Sequence, residues 1–227
     1  MTTVRLDIIS IGTLARNRLW NESDNLRTPH STTSLIRAGR SIILVDPGLP
    51  AAALAARLFE RTGLKPSAIN TVFLTTLQPD HRAGLGLFDH ATLYAHEREI
   101  DFFERAIGAD EDTGGGDVDS LGGGETHQEL LPRLKPSPDE LAAGVGIFPL
   151  FGHTPGTCGL IVTTPTMTTI IAGDAVASID HFLAGQVLPD ARDVKEAQAA
   201  FAEVYEIADL IVPGHDNLFP NPRSQGF

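Results

Sequence analysis

The sequence lacks several features that mark particular classes of protein. Cys158 is the only cysteine among 227 residues, so no disulfide bond can form within the chain, and a reducing compartment is expected. The first residues do not combine a basic segment with an apolar one, and nowhere do about 18 apolar residues follow one another. We therefore expect a cytoplasmic protein that has neither a signal peptide nor a membrane span.

Basic residues are also scarce. The chain has 17 lysine and arginine residues against 29 aspartate and glutamate residues, which gives a formal net charge of −12. The basic residues form no run, whereas nucleic acids and anionic membranes bind surfaces that neutralise many phosphate groups. The composition therefore predicts a small-molecule substrate, no nucleic acid and no membrane as partners, and it leaves the oligomeric state open.

Apolar residues, by contrast, are plentiful. Hydrophobic residues make up 42% of the chain and charged residues 20%, which is enough apolar side chain for a sizeable core. We expect residues 1–227 to form a single domain. Within it, residues 108–125 contain two Gly-Gly-Gly runs and several acidic side chains, a composition typical of a flexible loop.

Hydrophobic patterning predicts an alternation of short strands and a few helices. Alternating or β-branched segments predict strands at 4–11, 32–37, 41–45, 71–76, 92–95, 146–151, 158–164, 168–172 and 210–212. Helical spacing of apolar residues predicts helices at 50–61, 96–107 and 192–207. A chain of this kind builds an α/β fold.

The segment 71–84 is the most informative part of the chain. Its predicted strand must end by Pro79, because proline cannot extend a central strand. Asp80 and His81 follow on the turn, where a carboxylate and an imidazole can both face one metal ion. The alternative is a solvated turn, in which Asp and His are common residues.

The same arrangement recurs along the chain. His153, Asp174 and His215 also follow predicted strands, each beside a glycine or a proline. Side chains on such turns can converge at one edge of a sheet sandwich and leave a shared cleft for a metal ion. This recurrence favours a metal site over a set of unrelated solvated turns.

These motifs, in this order, resemble the metallo-β-lactamase superfamily over residues 4–219. The motifs are Asp46-Pro47-Gly48, Thr75 to Gly84, Gly152-His153-Thr154-Pro155-Gly156, Gly173-Asp174 and Pro213-Gly214-His215. The resemblance implies an αββα sandwich, in which two mixed β-sheets face each other, helices cover the outside and a metal site lies at one edge.

The central motif of the superfamily, His-x-His-x-Asp-His, is altered in this chain. Thr76 and Gln78 stand at the two leading histidine positions, whereas Asp80 and His81 match. The resemblance implies a first metal site that uses those two positions with His153. It implies a second site formed by Asp80, His81 and His215, with Asp174 between the two ions. The second site is thus complete, and the first has lost two of its three histidines.

The chemistry of the residues present favours one metal ion. A threonine hydroxyl is a poor ligand for a zinc-like ion, and a glutamine carbonyl suits harder cations. Two carboxylates and two imidazoles, from Asp80, His81, Asp174 and His215, suit Zn²⁺ or alternatively Fe²⁺. We therefore expect one divalent transition metal, with a second metal weakly bound or absent.

Such a site predicts a metal-dependent hydrolase. A bound ion can bring the pKa of water to roughly 7, and the resulting metal-bound hydroxide can attack an ester, lactone or thioester. Two alternatives stay open: a non-catalytic metal-binding or regulatory protein, and a phosphodiesterase or nuclease of the same superfamily. The tyrosine that quorum-lactone lactonases carry shortly after the bridging carboxylate is missing, because Ala-Val-Ala-Ser follows Asp174.

Each of the remaining candidates fits more than one role by sequence alone. Asp80 and Gln78 are the expected catalytic residues, with Gln78 binding substrate or a developing oxyanion. His153 is a metal ligand or, alternatively, binds substrate or transfers a proton. Thr76 and His181 are candidates to contact substrate or the metal ligands. His181 is predicted on a loop that roofs the cleft, although solvated histidines are commoner at such places.

Overall fold

A computed structural model of the chain describes residues 4–109 and 126–225. Within these residues twelve strands form two six-stranded sheets. The strands are β1 (Val4–Ser10), β2 (Thr33–Ala38), β3 (Ser41–Val45), β4 (Thr71–Phe73), β5 (Thr92–Ala95), β6 (Leu134–Pro136), β7 (Glu140–Ala142), β8 (Val145–Pro149), β9 (Cys158–Thr164), β10 (Met167–Gly173), β11 (Leu210–Pro213) and β12 (Phe219–Pro220). The helices are α1 (Ala51–Thr62), α2 (Glu97–Ala109), α3 (His127–Leu130), α4 (Ile179–Ala184) and α5 (Val194–Ile207).

Both sheets mix parallel and antiparallel pairs. The first has the order β1-β2-β3-β4-β5-β6, antiparallel from β1 to β3 and parallel from β3 to β6. The second has the order β12-β11-β10-β9-β8-β7 and is antiparallel except for the pair β10 and β11. Parallel neighbours end at the same edge of a sheet. The carboxyl ends of β3 and β4, and those of β10 and β11, therefore carry their following turns to a common edge.

Three apolar layers hold the sandwich together. Between the sheets, Phe73 of the first packs in one cluster with Leu160 and Val212 of the second. Outside the first sheet, α1 and α2 contribute the buried Leu54 and Phe103. The corresponding layer outside the second sheet contains residues of α4 and α5. Since each sheet is buried on both faces, the layers run helix, sheet, sheet, helix, which confirms the predicted αββα sandwich.

The strands β2 and β3 and the helices α1 and α5 lie close to their predicted positions. The strands β2 and β3 form an antiparallel pair across the Gly39-Arg40 turn. Helix α1 buries Leu54 and Leu58 and ends at Gly63, whose positive φ of 70° closes the last turn. Helix α5 begins after Asp193, whose carboxylate accepts a hydrogen bond from the backbone N–H of Glu196.

Three predictions need correction. The strand predicted at 71–76 ends at Phe73, because the N–H of Thr75 donates to the Asp46 carboxylate and its carbonyl accepts from Cys158 of the other sheet. Residues 178–186 contain the helix α4, which Ser178 caps and Gly185 ends, and do not form a loop. Residues 108 and 109 belong to α2, and the rest of the predicted flexible loop lies outside the described residues.

Short elements were not foreseen. The strands β6, β7 and β12 have two or three residues each, and the helix α3 has four. Among residues 4–109 and 126–225, none of the helices has the length and the apolar character that crossing a membrane would need.

Candidate metal centre

Turns at the carboxyl ends of five strands meet at one edge of the sandwich. β3 is followed by Asp46, β4 by the segment with Asp80 and His81, β8 by His153, β10 by Asp174 and β11 by His215. A tight approach between these turns requires glycine. At Gly173, with φ of 52°, an added Cβ would lie only 2.5 Å from the Oγ1 atom of Thr75.

Three of these side chains form a compact group of ligand atoms. One atom each from Asp80, His81 and His215 lies within 4.8 Å of the others. Asp174 contacts both histidines, because its Oδ2 lies 3.1 Å from Nε2 of His81 and its Oδ1 lies 2.9 Å from Nε2 of His215. All four side chains are at least 88% shielded from solvent. The sequence motifs therefore place two imidazoles and two carboxylates together, as predicted.

Hydrogen bonds from the far side orient both imidazole rings. Nδ1 of His81 lies 3.0 Å from the Asp46 carboxylate, and Nδ1 of His215 lies 3.1 Å from the carbonyl of His30. Because both partners are acceptors, the neutral form of each ring carries its proton on Nδ1 and would offer the lone pair of Nε2 to a metal ion. This is the arrangement that fixes the tautomer of metal-binding histidines.

Asp46 is a functional residue that sequence reasoning did not single out. Its two carboxylate oxygens accept hydrogen bonds from the N–H and the hydroxyl of Thr75, at 2.8 and 2.7 Å, in addition to the ring of His81. Its backbone has a φ of 49°, which is rare for a residue with a side chain. The Asp46-Pro47-Gly48 turn after a strand was the available signal for this residue. In the sequence alone, that turn served only as one motif of the superfamily resemblance.

The charges of the group are mutually stabilising. Burial lowers the pKa of His81, but the negative charges of Asp174 and Asp46 outweigh it and hold that pKa well above the usual value. Burial lowers the pKa of His215 too, and Asp174 and Asp80 raise it overall. Burial raises the pKa of Asp174, but His81, His153 and His215 together hold it well below the usual range. The carboxylate of Asp174 is thus ionised at the centre of three imidazoles.

Several buried atoms of this group have no hydrogen bond to any described residue. They are Oδ1 of Asp80, Nε2 of His81 and Oδ1 of Asp174, the last two held only by ion-pair contacts that lack hydrogen-bond alignment. Buried polar atoms normally find partners, and leaving one without a partner costs about 1–3 kcal/mol. The unsatisfied atoms and the imidazole–carboxylate set fit a divalent transition metal.

Gln78 and His153, which the resemblance assigns to the positions of a first metal site, contact each other. Nε2 of His153 lies 3.0 Å from Oε1 of Gln78 and 3.3 Å from Oδ2 of Asp174. Because Oε1 of Gln78 is an acceptor, Nε2 of His153 donates this hydrogen bond. The role of His153 as a metal ligand stays a prediction, and these contacts favour a hydrogen-bonding role.

Thr76 is hydrogen-bonded to the buried carboxylate of Glu99, which no motif in the sequence singles out. Its hydroxyl donates a 2.6 Å hydrogen bond to Oε1 of Glu99, which also accepts from the N–H of Leu77 at 3.0 Å. The other oxygen of Glu99 accepts from the hydroxyl of Thr154 at 2.6 Å. Glu99 is fully buried, and burial raises its pKa despite these hydrogen bonds. Glu99 thus joins the helix α2 to the turn that carries Thr76 and to the turn that carries Thr154.

A cavity of about 450 Å³ opens beside the group. Its lining includes Gln78, Asp80, His153, Asp174, His181 and His215. His181 is only 4% exposed, which corrects the expectation of a solvated histidine. Its Nδ1 lies 2.8 Å from the hydroxyl of Ser178, so Nε2 is the ring nitrogen left for a ligand. Thr76, in contrast, is not part of the cavity wall.

Cys158 belongs to the hydrophobic core. It is completely buried in the layer between the sheets, and burial raises the pKa of its thiol to about 12. A thiol with that pKa is not a nucleophile at neutral pH.

The sequence from residue 27 to residue 215 matches the model of the metallo-β-lactamase superfamily. The chain belongs to this superfamily. The resemblance drawn from the motifs is thereby confirmed. Members of the superfamily include metal-dependent hydrolases, which supports hydrolysis in general. No curated protein matches the chain.

Solved structures of the same fold match nearly the whole chain. A Thermotoga maritima protein assigned to the metallo-β-lactamases is 19% identical, with a TM-score of 0.68 over 96% of this chain and 99% of its own. A Staphylococcus aureus protein assigned as a metal-dependent hydrolase is 16% identical, with a TM-score of 0.67 over 95% and 89%. The dizinc quorum-quenching lactonase AidC is 19% identical, with a TM-score of 0.65 over 82% and 72%. At these identities the likeness establishes the fold.

Proposed function

We propose that this protein is a metal-dependent hydrolase of a small ester, lactone or thioester. In this proposal Asp80, His81, Asp174 and His215 hold one divalent transition metal, with Zn²⁺ as the expected ion. The observation that carries it is the set of buried, unsatisfied ligand atoms on a group that borders a cavity. When bound, such an ion supplies Lewis acidity, which lowers the pKa of water toward roughly 7 and polarises a carbonyl group.

One metal is proposed because the residues at the first-site positions, Thr76 and Gln78, already make hydrogen bonds to other side chains. Thr76 donates to Glu99, and Gln78 accepts from His153. Neither residue supplies a nitrogen lone pair, and breaking the bond from Thr76 would remove one of the three hydrogen bonds that the buried Glu99 accepts. AidC, which is described as a dizinc enzyme, is the contrasting case among the similar folds.

Gln78 is proposed to bind the reacting carbonyl group. Its Oε1 accepts from His153, and its amide N–H groups make no hydrogen bond to another described residue. Because Gln78 is only 8% exposed and lines the cavity, its N–H groups can donate to an oxygen on which negative charge develops. His153 fixes the orientation of that amide.

Asp80 and His181 are proposed to handle protons and substrate. The buried Oδ1 of Asp80 makes no hydrogen bond to a described residue, so it can accept the proton of the attacking water. Nε2 of His181 can donate to the substrate from the cavity wall, because Ser178 occupies its other nitrogen. The ring of His181 is already held in position by its contact with the Ser178 hydroxyl.

The size of the cavity favours a small substrate over a polymer. Its 450 Å³ falls in the range of pockets that enclose small molecules, roughly 300–1,000 Å³. The net charge of −12 opposes the approach of RNA or DNA over long distances. Acyl hydrolysis therefore has better support than phosphodiester cleavage.

The proposal is tested by elemental analysis of the purified protein, followed by a substrate panel with the metal it holds. Esters, lactones and thioesters are compared with short RNA and DNA at matched salt concentration. We expect about one transition metal ion per chain and metal-dependent acyl hydrolysis. Cleavage of nucleic acid alone would overturn the substrate class. A protein without metal and without hydrolysis would instead be a non-catalytic member of the superfamily.

A further inference from the structure

The cavity has a second wall of a different chemical character. The segment between β1 and β2 contributes Arg16, Arg18 and Arg27 to the lining of the same cavity. Three guanidinium groups around one cavity are unexpected in a chain that has 17 basic and 29 acidic residues. The overall composition does not explain why three arginines line the same cavity.

The three arginines differ in their partners. Arg27 forms an ion pair with Glu22 and also donates to the carbonyl of Leu14 at 3.0 Å. Arg16 donates only to the carbonyl of Ser23, at 3.2 Å. Arg18 is exposed, and its guanidinium group makes no hydrogen bond or ion pair with a described residue. Thus Arg27 supports the segment, whereas Arg16 and Arg18 carry positive charge that no described carboxylate neutralises.

The charges of the loaded site leave this wall attractive to anions. With a divalent ion in place, the charges of Asp80 and Asp174 are balanced, and Glu22 is balanced by Arg27. The remaining charged groups of the lining are Arg16, Arg18 and Asp190. The cavity is then net positive, although the whole chain carries a net charge of −12.

The segment that carries the two arginines is held in place by specific contacts. The indole N–H of Trp20 donates a 2.8 Å hydrogen bond to Asp180 of α4, the helix of His181. Asn17, between the two arginines, is buried and accepts from the N–H of Leu19 at 3.0 Å. The backbone is therefore held on both sides of Arg18. This keeps the guanidinium group of Arg18 at the cavity.

We propose that Arg16 and Arg18 bind an anionic group of the substrate, a carboxylate or a phosphate, at the end away from the scissile bond. This inference rests on the proposed function and specifies it: the substrate is an acyl compound with a negatively charged terminus. Guanidinium groups suit this task because their N–H donors match the oxygens of carboxylates and phosphates. The metal-binding group and the arginine wall then hold opposite ends of one molecule.

The first test measures binding in the full-length protein with its metal. Glutarate and inorganic phosphate are titrated by calorimetry into the wild type and into the double variant Arg16→Gln/Arg18→Gln. We expect at least about a tenfold weaker affinity in the double variant, a loss of roughly 1.4 kcal/mol. The better-bound probe identifies the class of oxyanion. Equal affinity in both proteins would overturn the proposal.

A control variant isolates the position of the charges. Arg40 and Arg61 are exposed and are not part of the cavity wall, so Arg40→Gln/Arg61→Gln removes the same net charge elsewhere. We expect this control to bind glutarate and phosphate like the wild type. An equal loss of affinity in both double variants would show that binding depends on the net charge of the protein and not on the position of the arginines. That result would also overturn the proposal.

The second test compares two esters with the same leaving group. Mono-4-nitrophenyl glutarate carries a terminal carboxylate, and 4-nitrophenyl butyrate does not. We expect the arginine double variant to lose about tenfold in kcat/KM for the anionic ester alone, mainly through KM. Hydrolysis of both esters without any dependence on the arginines would defeat this inference and leave the proposed function intact. Glutarate binding that depends on the arginines, without hydrolysis of either ester, would overturn the proposed function and support the anion-binding role of Arg16 and Arg18.

Discussion

The hydroxyl of Thr76 donates a 2.6 Å hydrogen bond to the buried carboxylate of Glu99. Thr76 stands where the superfamily motif has its first metal-binding histidine. Glu99 also accepts hydrogen bonds from Leu77 and Thr154, so one carboxylate connects the helix α2 to the turns that carry Thr76 and Thr154. A hydrogen-bonded cluster therefore holds together the two turns that the resemblance assigns to a first metal site.

We predict that Glu99→Gln destabilises the protein by about 1–3 kcal/mol, because the new amide N–H₂ would face groups that now donate to a carboxylate oxygen. Urea denaturation of the wild type and the variant measures this loss. Glu97→Gln is the matched control, since Glu97 is exposed in the first turn of the same helix. An unchanged unfolding midpoint for Glu99→Gln would show that the cluster contributes nothing.

We predict that Asp80→Ala or His215→Ala reduces metal retention from about one ion per chain to nearly none and abolishes hydrolysis. The apparent stability should fall as well, by about 3–4 kcal/mol if the ion is present at 100–1,000 times its Kd. Elemental analysis and thermal unfolding measure both effects. His90→Ala should keep the metal, since His90 is exposed and lies outside the group. Metal loss in that variant would refute the ligand assignment.

We predict that the double variant Thr76→His/Gln78→His binds close to two ions per chain. The introduced imidazoles would free His153 from Gln78, and Glu99 is already placed to accept a hydrogen bond from a ring at position 76. Metal titration followed by elemental analysis measures the stoichiometry. The single variant Gln78→His is the control and should stay near one ion. A well-folded double variant with one ion would mean that the first site cannot be rebuilt at these positions.

We predict that His127 makes the protein less stable as the pH falls from about 6.5 to 4. Burial and the nearby charge of Arg82 lower the pKa of His127 to about 4, while its Nε2 lies 3.0 Å from the carbonyl of Leu77. The unfolded chain binds a proton on this residue at higher pH than the folded chain does, so acidification favours unfolding in that window. The loss should be smaller than the roughly 3 kcal/mol of a fully shielded group, because His127 is half-buried.

Urea unfolding at several pH values tests this prediction. In His127→Gln, whose amide can still donate to Leu77, stability should fall less steeply between pH 6.5 and 4 than in the wild type. The exposed His90→Gln serves as the control. Parallel profiles for the wild type and His127→Gln would contradict the prediction. The comparison between variants removes the contribution of the metal-binding histidines, which is common to all of them.

Local patterns predicted most of the fold, and contacts between distant residues explain the failures. The hairpin of β2 and β3 and the helix α5 depend on neighbours in sequence, so alternation, turn residues and caps were sufficient to find them. The strand predicted at 71–76 fails at Thr75, whose N–H is taken by Asp46, 29 positions earlier. No periodicity within the segment could indicate that partner.

The same distinction applies to the site. Asp80, His81, Asp174 and His215 were predicted to lie together because each follows a strand that ends at the same edge. Glu99 was not found, since it appears in the sequence as an ordinary glutamate in the first turn of a helix. Helix α4 was read as a loop although Ser178 and Gly185 mark its two ends, because its six residues are too few for a periodic pattern.

The hydrogen bond between Trp20 and Asp180 has a practical consequence. Trp20 is the chain's single tryptophan, and its side chain is 59% exposed beside the arginine wall. Nearly all indole fluorescence of the protein therefore originates at this one contact between the segment that follows β1 and the helix α4. Any event that strengthens or breaks the contact changes the emission without a label. The protein thus carries its own optical reporter next to the cavity that its ligands must enter.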